Sequence, residues 1–236
     1  MACYSPARGY KAKNGAWVSK KPTDTAPVPM NVPCGGCLGC RDTAAKHWAA
    51  RIVHEASLYK YNCFLTLTYR DKDTCTPKQL AKQQHLPDDG SLVKSHFQKF
   101  MKRLRHHLRG RRVRYYQCGE YGDENERPHY HACLFNLRFD DEQLYRHNHG
   151  NPLFTSQTLE DLWGYGFATI GQLTYESAAY TARYVFKKVT GLRADDHYLR
   201  YDQNGNAYWL LPEYTTMSRK PGIGYDWYQR YKDDIF

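Results

Sequence analysis

Two β-forming stretches, Val113 to Glu120 and His129 to Phe135, flank a polar turn from Gly122 to Pro128, and such a pattern reads as an antiparallel hairpin. Side chains two apart on a strand share a face, so both imidazoles of Pro128-His129-Tyr130-His131-Ala132 point the same way. The preceding strand returns Glu120 towards them, and two imidazoles and one carboxylate converge with open positions. This donor set suits Mn²⁺ well and Mg²⁺ less comfortably, because Mg²⁺ prefers oxygen. The same set also suits non-haem iron.

The elements around the hairpin set its context. Phe64-Leu-Thr-Leu-Thr-Tyr69 alternates apolar and hydroxyl side chains and predicts a strand with one buried face. Ala45, Trp48, Ile52, Ala56 and Tyr59 recur at helical steps and predict a helix over about 41–61. Residues 70–90 read as a polar loop, Leu159 to Trp163 as a short helix, and Phe167 to Leu173 as a fourth strand. A helix from Tyr175 to Val189 follows, with Thr174 as its cap, Glu176 in its first turn and Gly191 at its end. Residues 1–33, punctuated by Pro22, Pro27, Pro29 and Pro33, read as an extended arm. Strands and helices that do not alternate regularly imply an α+β domain with a mainly antiparallel sheet.

Charge is concentrated in one place. The chain has 34 Lys and Arg against 24 Asp and Glu, a formal +10, and residues 94–114 contain no carboxylate while carrying Lys94, Lys99, Lys102, Arg103, Arg105, Arg109, Arg111, Arg112 and Arg114. Phe97, Phe100, Met101, Leu104 and Leu108 give this segment an apolar helical stripe that closes near Gly110. An amphipathic helix with an uncompensated basic face is expected to bind phosphates, through Lys99, Lys102, Arg103, Arg105 and the four arginines that follow. Together with 21 Tyr, it favours nucleic acid as partner. No apolar run approaches the ~18 residues of a membrane span, no apolar signal core follows Met1, and no Walker-type loop occurs.

Tyr180 and Tyr184 stand one turn apart on the late helix, with Lys187 and Lys188 beyond them. A phenol oxygen can attack a phosphodiester, but with a pKa near 10 it needs cation assistance. Cys34, Cys37 and Cys40, in C-x-x-C-x-x-C spacing, offer three soft ligands, and Cys3 can add a fourth. Structural zinc, an iron–sulfur cluster and plain reduced thiols all suit this spacing. Cys63, Cys75, Cys118 and Cys133 are dispersed and read as packing residues.

Three stretches then stand in a telling order: Phe64-Leu-Thr-Leu-Thr-Tyr69; Gly119-Glu120-Tyr-Gly122 leading to Pro128-His-Tyr-His131; and Tyr180-x-x-x-Tyr184-x-x-Lys187. With them the chain resembles the HUH-superfamily rolling-circle replication initiators, and more closely those of gokushovirus-type Microviridae, small single-stranded DNA bacteriophages. The likeness runs from the Cys34 cluster through Val189, and Ser218-Arg-Lys-Pro-Gly-Ile-Gly224 extends it.

The resemblance implies a central, mainly antiparallel five-stranded sheet with flanking helices, the RRM/ferredoxin-like palm of HUH endonucleases. It implies an arm over 1–40, an endonuclease core over 41–191 and an extension over 192–236 packed on that core. It further implies a site-specific nuclease and strand transferase that nicks single-stranded DNA at the phage origin, leaving a 5′-phosphotyrosine and a free 3′-OH, and later rejoins ends. His129, His131 and Glu120 would hold Mn²⁺ or Mg²⁺. Tyr184 is the first choice of nucleophile, Tyr180 its alternate, and Lys187 or Lys188 the assisting cation. The expected setting is the host bacterium's cytoplasm, with host helicase and polymerase as partners. A non-catalytic single-strand binder and a relaxase or transposase of the same chemistry are the competing readings.

Overall fold

The computed structural model describes residues 3–23, 28–183, 189 and 193–235, and the chain forms two compact units, Met1–His47 and Trp48–Phe236. In the first, β1 (Ala7–Lys11), β2 (Trp17–Val18) and β3 (Val28–Val32) make an antiparallel sheet in the order β2-β1-β3. The arm is therefore folded where an extended chain was expected. Proline does not prevent this, because Pro29 lies on an edge strand, opposite Tyr10. Gly9 is required by a close approach: a Cβ there would lie 2.4 Å from the Val18 carbonyl oxygen and 2.5 Å from the Trp17 ring nitrogen. Helix α1 (Leu38–Ala56) begins in this unit. It stops short of the predicted end because the Asn62 side-chain amide donates to the carbonyls of Ala56 and Tyr59 at 3.0 and 3.1 Å, closing the last turn.

The second unit continues with β4 (Asn62–Thr68), α2 (Pro77–Ala81), α3 (Lys94–His107), β5 (Arg114–Tyr121), β6 (Pro128–Phe135), β7 (Gln143–Asn148) and β8 (Asn151–Thr155). After these come α4 (Gln157–Trp163), β9 (Ala168–Gly171), α5 (Tyr175–Arg183), α6 (Arg193–Tyr198), β10 (Leu199–Tyr201), β11 (Ala207–Trp209), β12 (Tyr214–Met217) and α7 (Tyr225–Ile235). Helix α2 interrupts the expected loop, nucleated by a capping box in which Thr76 N donates to Gln79 Oε1 at 2.9 Å and Gln79 N to Thr76 Oγ1 at 3.4 Å. Thr174 caps α5 as its sequence predicts, its Oγ1 accepting from Ser177 N at 3.3 Å.

The main sheet is antiparallel and has seven strands, not five, in the order β12-β5-β6-β4-β9-β8-β7. The additional strands are those the sequence hides. β7 is exposed along its whole length and so lacks an alternating pattern. Its turn into β8 passes through His149 (φ 46°) and Gly150 (φ 81°), the positive dihedrals of a tight hairpin.

Alternate residues of the strands serve different layers. Leu65, Leu67, Tyr130 and Leu134 face α3 and α4, packing on Phe97, Phe100, Leu104 and Trp163. Tyr116, Cys133 and Phe135 face the other way, onto Ala49 and Ile52 of α1 and Ala178 and Ala179 of α5. On this second side a buried ion pair joins Arg114 Nε to Glu55 Oε1 at 2.6 Å. Arg114 also donates to the Pro221 and Gly222 carbonyls at 2.9 and 3.0 Å, and Glu55 accepts from Gly224 N at 2.8 Å. The Pro221-Gly-Ile-Gly224 segment is thus a main-chain receptor for a buried charge pair.

Candidate metal centre

Strand register builds the site. Glu120 on β5 lies directly opposite His129 on β6, and on the other side of β6 the β4 residues Thr66 and Thr68 lie opposite His131 and His129. Both histidines aim Nε2 at one carboxylate oxygen, Glu120 Oε1, at 2.7 Å from His129 and 2.8 Å from His131. Glu120 is buried, and its other oxygen, Oε2, has no hydrogen-bond partner. The expected triad is assembled.

The far side of each ring says what the near side needs. His129 Nδ1 lies 3.0 Å from the Arg127 carbonyl, which can only accept, so Nδ1 carries the proton and neutral His129 turns a lone pair on Nε2 towards the carboxylate. His131 Nδ1 is held by the Thr66 hydroxyl at 3.1 Å. Burial holds the pKa of His131 below the ordinary imidazole value despite the nearby carboxylate, favouring its neutral, ligating form. Lone pairs facing a buried carboxylate with an orphaned oxygen repel one another unless a cation stands between them. The donor set therefore fits a divalent metal, with partners behind the rings orienting the ligands.

Around the triad, the Phe64 ring lies parallel to His131 at 5.3 Å, and Tyr180 on α5 meets His131 edge-on at 5.0 Å. Tyr180 is 41% exposed. Tyr184, Lys187 and Lys188 lie outside the described residues. A cleft of about 360 Å³ opens beside His129, lined by Thr68, Asn125, Arg127 and the Gly122–Asp123 turn. Beyond Thr68, whose Oγ1 donates to the Phe167 carbonyl at 2.9 Å, the same face continues to Phe167 and Tyr145. These rings contact each other at 5.3 Å and are 40% and 50% exposed. Sequence reasoning passed over Thr66, Thr68, Phe167 and Tyr145. Only the threonines were signalled, by their alternation with Leu65 and Leu67.

The basic segment is placed differently from expectation. Helix α3 packs on the face of the sheet opposite the histidines, so it does not press a DNA backbone against the triad. Two of its predicted phosphate contacts are structural. Arg114 is buried in its pair with Glu55, and Arg103 donates to the Leu162 and Trp163 carbonyls at 2.7 Å each, closing the end of α4. Lys99, Lys102, Arg105, Arg109, Arg111 and Arg112 are exposed.

In the first unit, Cys3, Cys34, Cys37 and Cys40 form a second convergent group. Main-chain N–H groups of Cys40 and Tyr4 lower the Cys37 thiol pKa, whereas burial raises that of Cys40. Cys63, Cys118 and Cys133 are buried packing residues, as their dispersion suggests, while Cys75 is half-buried beside the Asp71 and Gln84 carbonyls.

The family model for the replication-associated protein ORF2 matches residues 62–189, more than half of the chain and including the triad. The chain is 36% identical over 252 residues to replication-associated protein ORF2 of Spiroplasma virus 4, covering all of this chain and 72% of that one. It is 34% identical over 245 residues to replication-associated protein VP4 of Bdellovibrio phage phiMH2K, covering 100% and 70%. Replication-associated protein ORF4 of Chlamydia phage 1 is 32% identical over 165 residues, 66% of this chain and 38% of that one. No solved structure matches the chain. Among the described residues, no helix is long and apolar enough to cross a membrane.

Proposed function

The chain belongs to the ORF2 family of replication-associated proteins, and we propose that it initiates phage rolling-circle replication as an HUH-type nuclease and strand transferase on single-stranded origin DNA. The observation that carries this reading is the convergence of Glu120, His129 and His131 on one sheet face, with the Tyr180 ring 5.0 Å from His131. A phenol oxygen, from Tyr180 or from Tyr184 one turn on, attacks the scissile phosphorus. A Tyr–O–P bond forms, the P–O3′ bond breaks, and the proton leaves the phenol for solvent or the departing 3′ oxygen. One ester replaces another, so reversal rejoins ends without an external energy source. Mn²⁺ or Mg²⁺ held by the triad would supply Lewis-acid polarisation of the scissile phosphate.

The chain's own residues do the rest. Thr66 and the Arg127 carbonyl orient the imidazoles, and Phe64 backs His131. The DNA strand lies over this face, its bases stacking on Phe167 and Tyr145, with Lys187 or Lys188 assisting the leaving oxygen. Unwinding comes from a host helicase, and a host polymerase extends the 3′-OH.

A labelled single-stranded origin oligonucleotide incubated with the protein and Mn²⁺ tests this. A denaturation-resistant protein–DNA adduct is expected, and it should vanish when Tyr180→Phe and Tyr184→Phe are combined. A gel shift with no adduct would instead mark a non-catalytic single-strand binder. An adduct that survives the double change would displace both tyrosines.

A further inference from the structure

We propose that Cys3, Cys34, Cys37 and Cys40 hold one zinc ion that serves as the structural core of the first unit. The four sulfur atoms lie within 4.8 Å of one another. Cys37 Sγ and Cys3 Sγ are 4.0 Å apart, against about 3.8 Å for the edge of a zinc–thiolate tetrahedron with ~2.3 Å bonds and ~2.0 Å for a disulfide. All four are free cysteines. The antiparallel pairing of β1 with β3, Ala7 opposite Val32, brings together the chain ends that carry Cys3 and Cys34. Cys37 precedes α1 and Cys40 lies in its first turn.

Main-chain hydrogen bonds already point at the sulfurs. Tyr4 N donates to Cys37 Sγ at 3.4 Å, Cys34 N to Cys3 Sγ at 3.3 Å, and Cys37 N to Cys34 Sγ at 3.3 Å. Binding releases four thiol protons to solvent and leaves a tetrathiolate with net charge of about −2, which such N–H groups delocalise. Four soft donors select zinc over the hard cations that suit the triad.

A second, independent observation concerns what the unit lacks. Its strands are five, two and five residues long, and among its described residues the buried apolar side chains are those of Cys40 and Ala45. A unit of this size with so little buried apolar surface needs another source of stability, and a metal is the usual one.

The test uses the full chain carrying His129→Ala and His131→Ala, so that the triad contributes no metal, purified without chelator and analysed for metals. One zinc per chain is expected, released by a mercurial thiol reagent and lost with Cys34→Ser plus Cys37→Ser. Because that cysteine variant can fail to fold, the parent is also reconstituted with Co²⁺. The thiolate-to-cobalt and tetrahedral d–d absorption bands of a four-sulfur site should appear. Iron with acid-labile sulfide would overturn the proposal, as would metal-free protein whose four thiols alkylate at the rate of exposed cysteine.

Discussion

The two faces of the seven-stranded sheet are made from alternate residues of the same strands, yet they carry opposite kinds of chemistry. Towards α3 and α4 lies a dry aromatic layer whose few polar atoms satisfy one another: Tyr69 bonds both His96 and Tyr130 at 2.8 Å, and Trp163 Nε1 donates to the Thr68 carbonyl at 2.7 Å. Towards α1 and α5 lies a buried carboxylate with an oxygen left over, two imidazoles aimed at it and a half-exposed tyrosine. One layer is satisfied as it stands, and the other is satisfied only by a ligand. Period-two alternation lets one strand serve both, since Tyr130 anchors the fold while its neighbours on either side hold the donors.

The sharpest way to break this division is to damage each face separately. Trp163→Ala should lower unfolding free energy by about 3–5 kcal/mol, read by denaturant titration, while the folded fraction still forms adduct at the parent rate. His129→Ala with His131→Ala should do the reverse. Adduct formation falls roughly 10²- to 10³-fold, the equivalent of several kcal/mol of transition-state charge stabilisation, with melting temperature little changed. If Trp163→Ala slowed nicking in the folded fraction as severely, the two faces would not be separable.

A smaller effect sharpens where DNA lies. Phe167→Ala should weaken single-strand binding by about 1–3 kcal/mol, the loss of one stacked base, measured by fluorescence anisotropy at fixed salt. Lys99→Gln with Lys102→Gln and Arg105→Gln, on the opposite side, should leave the nicking rate unchanged. The reverse ranking would return the DNA to α3.

The smallest effect concerns acid. Burial first, then the charges of Lys99 and Arg103, push the His96 pKa down to about 4 from 6.5. The unfolded chain therefore binds this proton more readily. Stability should fall as pH drops from 6.5 to about 4 and level off below, by on the order of 1 kcal/mol because the ring is partly solvated. The difference between the parent's stability–pH curve and that of His96→Gln isolates this contribution. A histidine on the aromatic face that made no difference to the curve would mean the layer is wetter than its packing implies.

How legible all this was depended on whether a feature is local. The hairpin, its paired imidazoles and Glu120 followed from two-residue alternation and a short turn, and α3 followed from its apolar stripe. Which side of the sheet α3 covers did not, because a helical stripe says that a face is buried but not against what. Arg103 and Arg114 read as surface charge in the sequence because their partners, the Leu162 carbonyl and the Glu55 carboxylate, are remote along the chain. β7 escaped because a strand exposed on both sides leaves no hydrophobic rhythm to read. The arm's prolines suggested an extended chain, yet one of them sits on an edge where its missing N–H costs nothing.

The spacing of the two donor groups along the chain also sets how much each metal must organise. Glu120 and His129 are nine residues apart, whereas Cys3 and Cys37 are separated by 34. Closing the longer loop costs about 1 kcal/mol more in chain entropy. The hairpin meets that cost for the triad as it zips, so exchanging one cation for another there leaves the chain where it was. In the cysteine group the ion itself must gather the chain, and its arrival is an act of folding.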